Sequence, residues 1–287
     1  MIKKVSDIIE KNLKKVDVLN GVRRIQNVFH EEGTECFVAY DNKSLAGVIT
    51  KKELVGAHPN RIIADIMSGK YKCVDCCTYI WEIREIFDLN RDINIILVEA
   101  ENGIIGYITR TILDIELGKH IDLLTGLYKS DYMFYNAYNF IRSGKHTSVM
   151  FIDMDNFGYI DKKYGHLNGD AILKIVADIL KENVGSDSYL CRYAGDEFAI
   201  VNPYCISDSR ILAEKIISSI NSYPFPNDIP VSASIGITGF GAHNVKTENI
   251  SGLINKLVNI ASLSSTRAKE NVNNSIIIGD IDIDAIA

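Results

Sequence analysis

Hydrophobic and polar positions over the first 118 residues follow an order that occurs twice. Asp7-Ile8-Ile9 recurs as Asp65-Ile66-Met67, 58 residues on, and Gly47-Val48-Ile49-Thr50-Lys51 recurs as Gly106-Tyr107-Ile108-Thr109-Arg110, 59 residues on. Between these anchors each copy runs through a helical stretch (21–29; 79–87) and a short apolar strand (36–39; 94–98). A polar turn follows (Asp41-Asn42-Lys43; Glu101-Asn102-Gly103), then a second strand that ends in Ile-Thr. A copy of roughly 55 residues is small for an independent core, so the two are expected to pack together.

The pattern then changes. Apolar positions at helical spacing over 112–124 predict a short connecting helix, too short for a long coiled coil but able to pass on a rotation or a register change. Gly126 marks a break, and Ser130 or Asp131 suits the cap of a helix running through Tyr138 and Ile141. Thr147-Ser148-Val149-Met150-Phe151-Ile152 reads as a buried strand that stops abruptly on Asp153. A carboxylate at the end of an apolar central strand stands where α/β proteins place ligands. A solvated strand end accounts for it equally well. Arg192 to Val201 reads as a strand, a tight turn with Gly195 and Asp196, and a returning apolar strand.

Composition narrows the classes. The 287 residues predict two domains. Hydrophobic residues at 47% support ordinary cores, and a net charge of −6 offers nothing to a non-specific nucleic-acid binder. The N-terminus lacks a signal-peptide pattern and no apolar run reaches roughly 18 residues, so the expectation is a soluble cytoplasmic chain with neither nucleic acid nor membrane as partner. Cys73-x-x-Cys76-Cys77 has thiolate spacing without a second Cys or His pair downstream. It reads as reduced thiols, with a metal or redox role as the alternative.

The hairpin places Asp196 and Glu197 opposite the Asp153 strand end. Such a set can act as a two-metal cradle for a triphosphate, with metals polarising an α-phosphate and offsetting charge on leaving pyrophosphate. An acidic solvated turn is the alternative for an isolated Asp-Glu pair. Five blocks decide between them: Asp122-Leu123-Leu124-Thr125-Gly126-Leu127; Asp153-Met154-Asp155-Asn156-Phe157; Tyr164-Gly165-His166-Leu167-Asn168-Gly169-Asp170; Arg192 to Phe198; and Ser234-Ile235-Gly236-Ile237-Thr238. In this order they resemble the GGDEF (diguanylate cyclase) domain, here in an Ala194-Gly195-Asp196-Glu197-Phe198 form.

That resemblance implies a central, mainly antiparallel sheet flanked by helices over 119–287, and condensation of two GTP into cyclic di-GMP and two pyrophosphates. It implies Asp153, Asp196 and the Met154 carbonyl as ligands of Mg²⁺ (or Mn²⁺), with Glu197 beside the attacking hydroxyl and Lys269 on phosphate. Backbone N–H groups from Asp155 to Phe157 would cradle phosphate oxygens. Asp170 would accept from the guanine edge, with Asp161 at the other base position. Arg192 is expected to support the hairpin. Because each domain holds half of the reaction, a homodimer is implied.

The departures bear on activity. Gly158 stands where the family has a lysine, Asp161 where it has an asparagine, Ser262 and Thr266 where it has Asp and Tyr, and Asn273 where a second basic residue is expected. Fewer phosphate cations weaken stabilisation of developing charge. Arg267, Lys162 and Lys163 are candidate replacements. The family's product-inhibition motif, R-x-x-D, is absent at Gly185-Ser186-Asp187-Ser188.

Residues 1–118 resemble a tandem CBS pair (a Bateman module), with copies at about 1–57 and 58–118. The whole chain is thus expected to be α/β plus α+β. The resemblance implies a regulatory module with an adenine nucleotide between the copies, Thr on phosphate and an acid three residues on holding the ribose diol. The first copy offers Thr50 and Glu53; the second has Ile112, which accepts no hydrogen bond. Three functions follow: a cyclase, weak or not, gated by a nucleotide effector; a GTP-binding regulator without turnover; or an assembly module.

Overall fold

The structure, a computed structural model, describes residues 2–241, 249–271 and 274–281. It divides into two compact units, Lys3–Gly118 and Lys119–Ala287 with Met1–Ile2.

In the first unit both copies run from a single 3₁₀ turn through strand, helix, two strands and helix: β1 (Leu13–Asp17), α1 (Val22–Glu32), β2 (Cys36–Asp41), β3 (Ser44–Thr50) and α2 (Lys51–Val55), then β4 (Tyr71–Asp75), α3 (Ile80–Leu89), β5 (Ile95–Ala100), β6 (Gly103–Thr109) and α4 (Arg110–Gly118). The sheets are ordered β1-β2-β3 and β4-β5-β6, each with one parallel and one antiparallel pair. The central strands β2 and β5 carry continuous buried apolar runs, as strands covered on both faces do. Cys36, Val38 and Val48 of the first copy form one cluster with Ile95, Leu97 and Tyr107 of the second. Each copy therefore completes the other's core.

The connecting helix differs from its expectation. α4 begins at Arg110 and ends at Gly118. Beyond it Asp122 bends the chain: its Oδ1 accepts from Thr125 N (2.9 Å) and Thr125 Oγ1 (2.7 Å), while Gly126 N donates to Asp122 O. A short polar side chain that bonds neighbouring backbone competes with helix, which apolar spacing alone does not reveal.

The second unit continues with β7 (Tyr128–Lys129), α5 (Ser130–Arg142), β8 (Thr147–Met154), α6 (Phe157–Tyr164), α7 (His166–Asn183), β9 (Tyr189–Ala194), β10 (Glu197–Asn202), α8 (Ile206–Ser222), β11 (Ala233–Phe240), α9 (Ile250–Glu270) and β12 (Ile276–Ile278). Neither Ser130 nor Asp131 is the cap of α5; Lys129 takes that position without a side-chain bond, and Asp131 instead meets His120 at 2.7 Å.

The six strands are ordered β12-β11-β8-β10-β9-β7, mainly antiparallel, with β8 interior. Alternation along β8 splits the core in two. Met150, Ile152 and Met154 face a cluster built with α7 and α8, and Val149 and Phe151 face one built with α5 and α9. Gly236 lets α9 close on the sheet: a Cβ there would lie 1.9 Å from Ala261 O and 2.4 Å from Ser265 N. No helix among the described residues is long and apolar enough to cross a membrane.

Candidate active site

The site grows from the end of β8. Asp153 is cross-strand partner to Glu197 on β10 and to Ser234 on β11, so the three side chains share one sheet face. The β9–β10 turn needs Gly195, whose φ of +49° favours glycine, and a register shift follows between Glu197 and Phe198. These features turn Asp196 and Glu197 toward the β8 end, and Met154 N donates to Asp196 O at 3.4 Å. Arg192 holds the turn: Nε and Nη2 donate to Gly195 O at 2.8 and 2.6 Å, and Nη1 donates to Asp122 Oδ1 at 3.0 Å.

Lys269 enters from the last turn of α9. Its ammonium lies 2.6 Å from Asp153 Oδ1 and donates to Met154 O at 2.9 Å. Burial pushes the Asp153 carboxyl above the ordinary range, Lys269 pulls against it, and Asp196 and Asp155 add to the rise. Glu197 is raised likewise, by burial and then by Asp153 and Asp196. The Asp153 carboxylate, the Met154 carbonyl and the Asp196 carboxylate are hard oxygen donors of the kind Mg²⁺ takes. A cation, the Lys269 ammonium, already bonds two of the three. Residues and charge thus fit a divalent ion.

Asp155 serves the scaffold. Its oxygens accept from Ser232 Oγ (2.7 Å) and Ser234 Oγ (2.8 Å), and its N–H donates to Ser232 O at 2.9 Å. That N–H is therefore spent within the protein and leaves the phosphate cradle, a correction to the sequence expectation. Asn156 (φ +52°) and Phe157 open α6, where a helix leaves N–H groups without intrahelical partners.

Asp161 and Asp170 lie on either side of the α6–α7 junction. The Asp161 carboxylate folds over Gly169, whose Cβ would come within 2.0 Å of Oδ1, and Oδ2 pairs with His166 Nδ1 at 3.0 Å. Asp170, the next residue, is exposed. The Phe157 ring packs on Gly169. Sequence reading missed His166 as a partner of Asp161, although five-residue spacing across Gly165 was visible. A cavity of about 500 Å³ adjoins Asp155, Asn156 and Ser232, is lined further by Tyr159, Tyr164 and Tyr223, and includes neither Asp161 nor Asp170.

Of the candidate replacement cations, Lys163 lies over the rings of Tyr159 and Tyr164 (5.5 and 4.9 Å to the centroids). Arg267 is exposed two residues from Lys269, a helical spacing that does not share a face. Asn273 lies outside the described residues.

In the first unit Thr50 and Glu53 cap α2. Glu53 Oε2 accepts from Thr50 N (2.9 Å) and Thr50 Oγ1 (2.6 Å). Both line a cavity of about 480 Å³ with Lys52, Lys70 and Arg91, so it draws on both copies.

The sheet order, the hairpin and the acidic strand end together define a nucleotidyl-cyclase-like α/β domain. A family model described as "Diguanylate cyclase, GGDEF domain" matches residues 119–275, and the chain belongs to that family. It is 34% identical over 119 residues to diguanylate cyclase DgcS of Shewanella oneidensis, covering 40% of each chain. With diguanylate cyclase DosC of Escherichia coli K12 it shares 37% identity over 107 residues, 36% of this chain and 23% of that one. The matches thus span less than half the length of these curated relatives. The coiled coil and GGDEF domain of DgcB from Caulobacter crescentus, solved in complex with c-di-GMP, aligns with TM-score 0.50 at 16% identity, over 60% of this chain and 90% of that one. At that identity the likeness concerns the fold.

Proposed function

We propose that this chain is a diguanylate cyclase that condenses two GTP into cyclic di-GMP and two pyrophosphates, with residues 1–118 acting as a CBS-type regulatory pair. The observation that carries the reading is the meeting of Asp153, Asp196, Glu197 and Lys269 at one strand end, brought from three separate stretches, the end of β8, the β9–β10 hairpin and the last turn of α9, in a domain that belongs to this family. Asp153, Met154 O and Asp196 would hold Mg²⁺ or Mn²⁺, which when bound polarises the α-phosphate and offsets charge on the leaving pyrophosphate. Lys269 contributes positive charge on the phosphate side, and Glu197 lies beside the attacking 3′-hydroxyl. Asp170, with Asp161 behind it, reads the guanine edge. Two such domains must face each other, so the working form is a homodimer.

A second reading, a GTP-binding regulator without turnover, is favoured by one specific observation. Gly158 leaves the phosphate side short of a cation, and Lys163, five residues on, is engaged over two tyrosines. For the first unit, Lys52 and Arg91 around the Thr50–Glu53 cavity, where Lys70 is paired with Asp92 at 3.9 Å, support an anionic nucleotide effector, an adenine nucleotide in the CBS manner.

Incubation with GTP and Mg²⁺, then Mn²⁺, followed by chromatographic separation of nucleotides, tests the cyclase. Cyclic di-GMP is expected from the wild type and none from Asp196→Ala. Mg²⁺-dependent GTP binding by a verified dimer, without product or pyrophosphate, would establish the regulator instead.

A further inference from the structure

We propose that Lys269 is a built-in competitor of the divalent cation: its ammonium occupies the Asp153 and Met154 oxygens until a metal–nucleotide complex displaces it. The inference rests on reading those two oxygens as metal ligands. Its basis is geometric. The ammonium is 2.6 Å from Asp153 Oδ1 and 2.9 Å from Met154 O, so one positive group bonds both donors at once. Mg²⁺ would require the same oxygens at about 2.1 Å. Two cations on one oxygen pair repel strongly in a half-buried site, and Asp153 is only 14% exposed.

The lysine has somewhere to go. It sits in the last turn of α9, next to the helix end, where the partial negative charge of the carbonyls favours a cation. Its four-carbon stem is flexible. Free metal arriving alone must therefore expel the ammonium from two direct oxygen contacts to the exposed helix end, where only the weaker pull of the carbonyls receives it. Metal arriving with a triphosphate brings phosphate oxygens that receive it. The same side chain thus weakens binding of free metal and strengthens binding of the metal–nucleotide complex, so the site responds to loaded substrate in preference to free metal.

The test uses the full chain without nucleotide and follows Mn²⁺ binding by electron paramagnetic resonance. Lys269→Met is expected to bind Mn²⁺ about tenfold more tightly than the wild type, the size expected from removing a cation beside a carboxylate. Equal or weaker binding overturns the proposal. Should the variant fold poorly, amine-reactive labelling of the wild type with mass spectrometry reads the same event: Lys269 should label slowly without metal and faster at saturating Mn²⁺. A rate unmoved by Mn²⁺ would refute displacement. Neither readout needs turnover, so an inactive domain can pass both and an active cyclase can fail both. Absence of Mn²⁺ binding in both proteins would remove the metal assignment and this inference with it.

Discussion

Two carboxylate–cation pairs flank the hairpin that carries Asp196 and Glu197, and they behave oppositely. Asp122 and Arg192 meet at 3.0 Å, Asp153 and Lys269 at 2.6 Å. Burial alone would raise Asp122, but hydrogen bonds from Thr125 and Arg192 bring its carboxyl below the ordinary range. Asp153 stays above that range despite the shorter contact, because it is more deeply buried and Asp196 and Asp155 lie near it. Distance to the opposite charge does not decide the outcome. What decides it is first how deeply the carboxylate is buried, then how many hydrogen bonds serve it and how many groups of like sign stand near it. The first pair is a finished structural joint; the second is an acidic cluster that one ammonium only partly neutralises.

Breaking the second pair should cost function far more than fold. On the proposed cyclase reading, in which Asp153 holds the metal, Asp153→Asn is expected to lower cyclic di-GMP formation on the order of a thousandfold. Its thermal midpoint should hold or rise, because a carboxylate leaves a crowded cluster. A melting curve measured beside the product assay checks both halves, and a marked fall in midpoint would contradict the contrast.

Arg192→Ala should do the reverse in stability. It removes both guanidinium donors to Gly195 O and one of the three donors to Asp122 Oδ1, leaving those from Thr125, and is expected to cost about 2 kcal/mol by denaturant unfolding. If the variant unfolds at the wild-type midpoint, the joint is not structural.

The smallest effect is in pH. Asp122, depressed in the folded state, contributes stability above its ordinary value that is lost as pH falls through the folded one. Asp153 and Glu197, raised from 3.8 and 4.5, contribute stability below those values that is lost as pH rises through the folded ones. Without metal, the midpoint of the wild type relative to Asp153→Asn should therefore decline as pH rises from about 4. Mn²⁺ should restore the wild type alone. A difference that stays flat with pH would show that the cluster does not carry this charge stress.

Much of this was legible in the chain. The Ile-Thr anchors exposed the two copies, the abrupt stop at Asp153 located the strand end, and Gly195 located the turn. The opening strands β1 and β4 were not legible. Leu13–Asp17 and Tyr71–Asp75 are edge strands with charged, largely exposed positions, so alternation is faint in them. In the site, residue types could be read but not engagements. Nothing local says that the Asp155 N–H is bound to Ser232 O, or that Lys269, 115 residues away, reaches Met154 O. Such contacts depend on how helices seat on the sheet, which periodicity leaves open.

That seating gives Gly236 an influence beyond packing. The missing Cβ sets the depth at which α9 lies on β11, and Lys269 rides one turn beyond Ser265, the residue whose N–H would meet that Cβ. The helix acts as a gauge that fixes how far a charged tip reaches into an acidic recess. A single methyl at position 236, with no charge and no place among the ligands, would lift the gauge and detune the electrostatics at its far end. Mechanical clearance in the core and charge balance at the surface are thus two readings of one dimension.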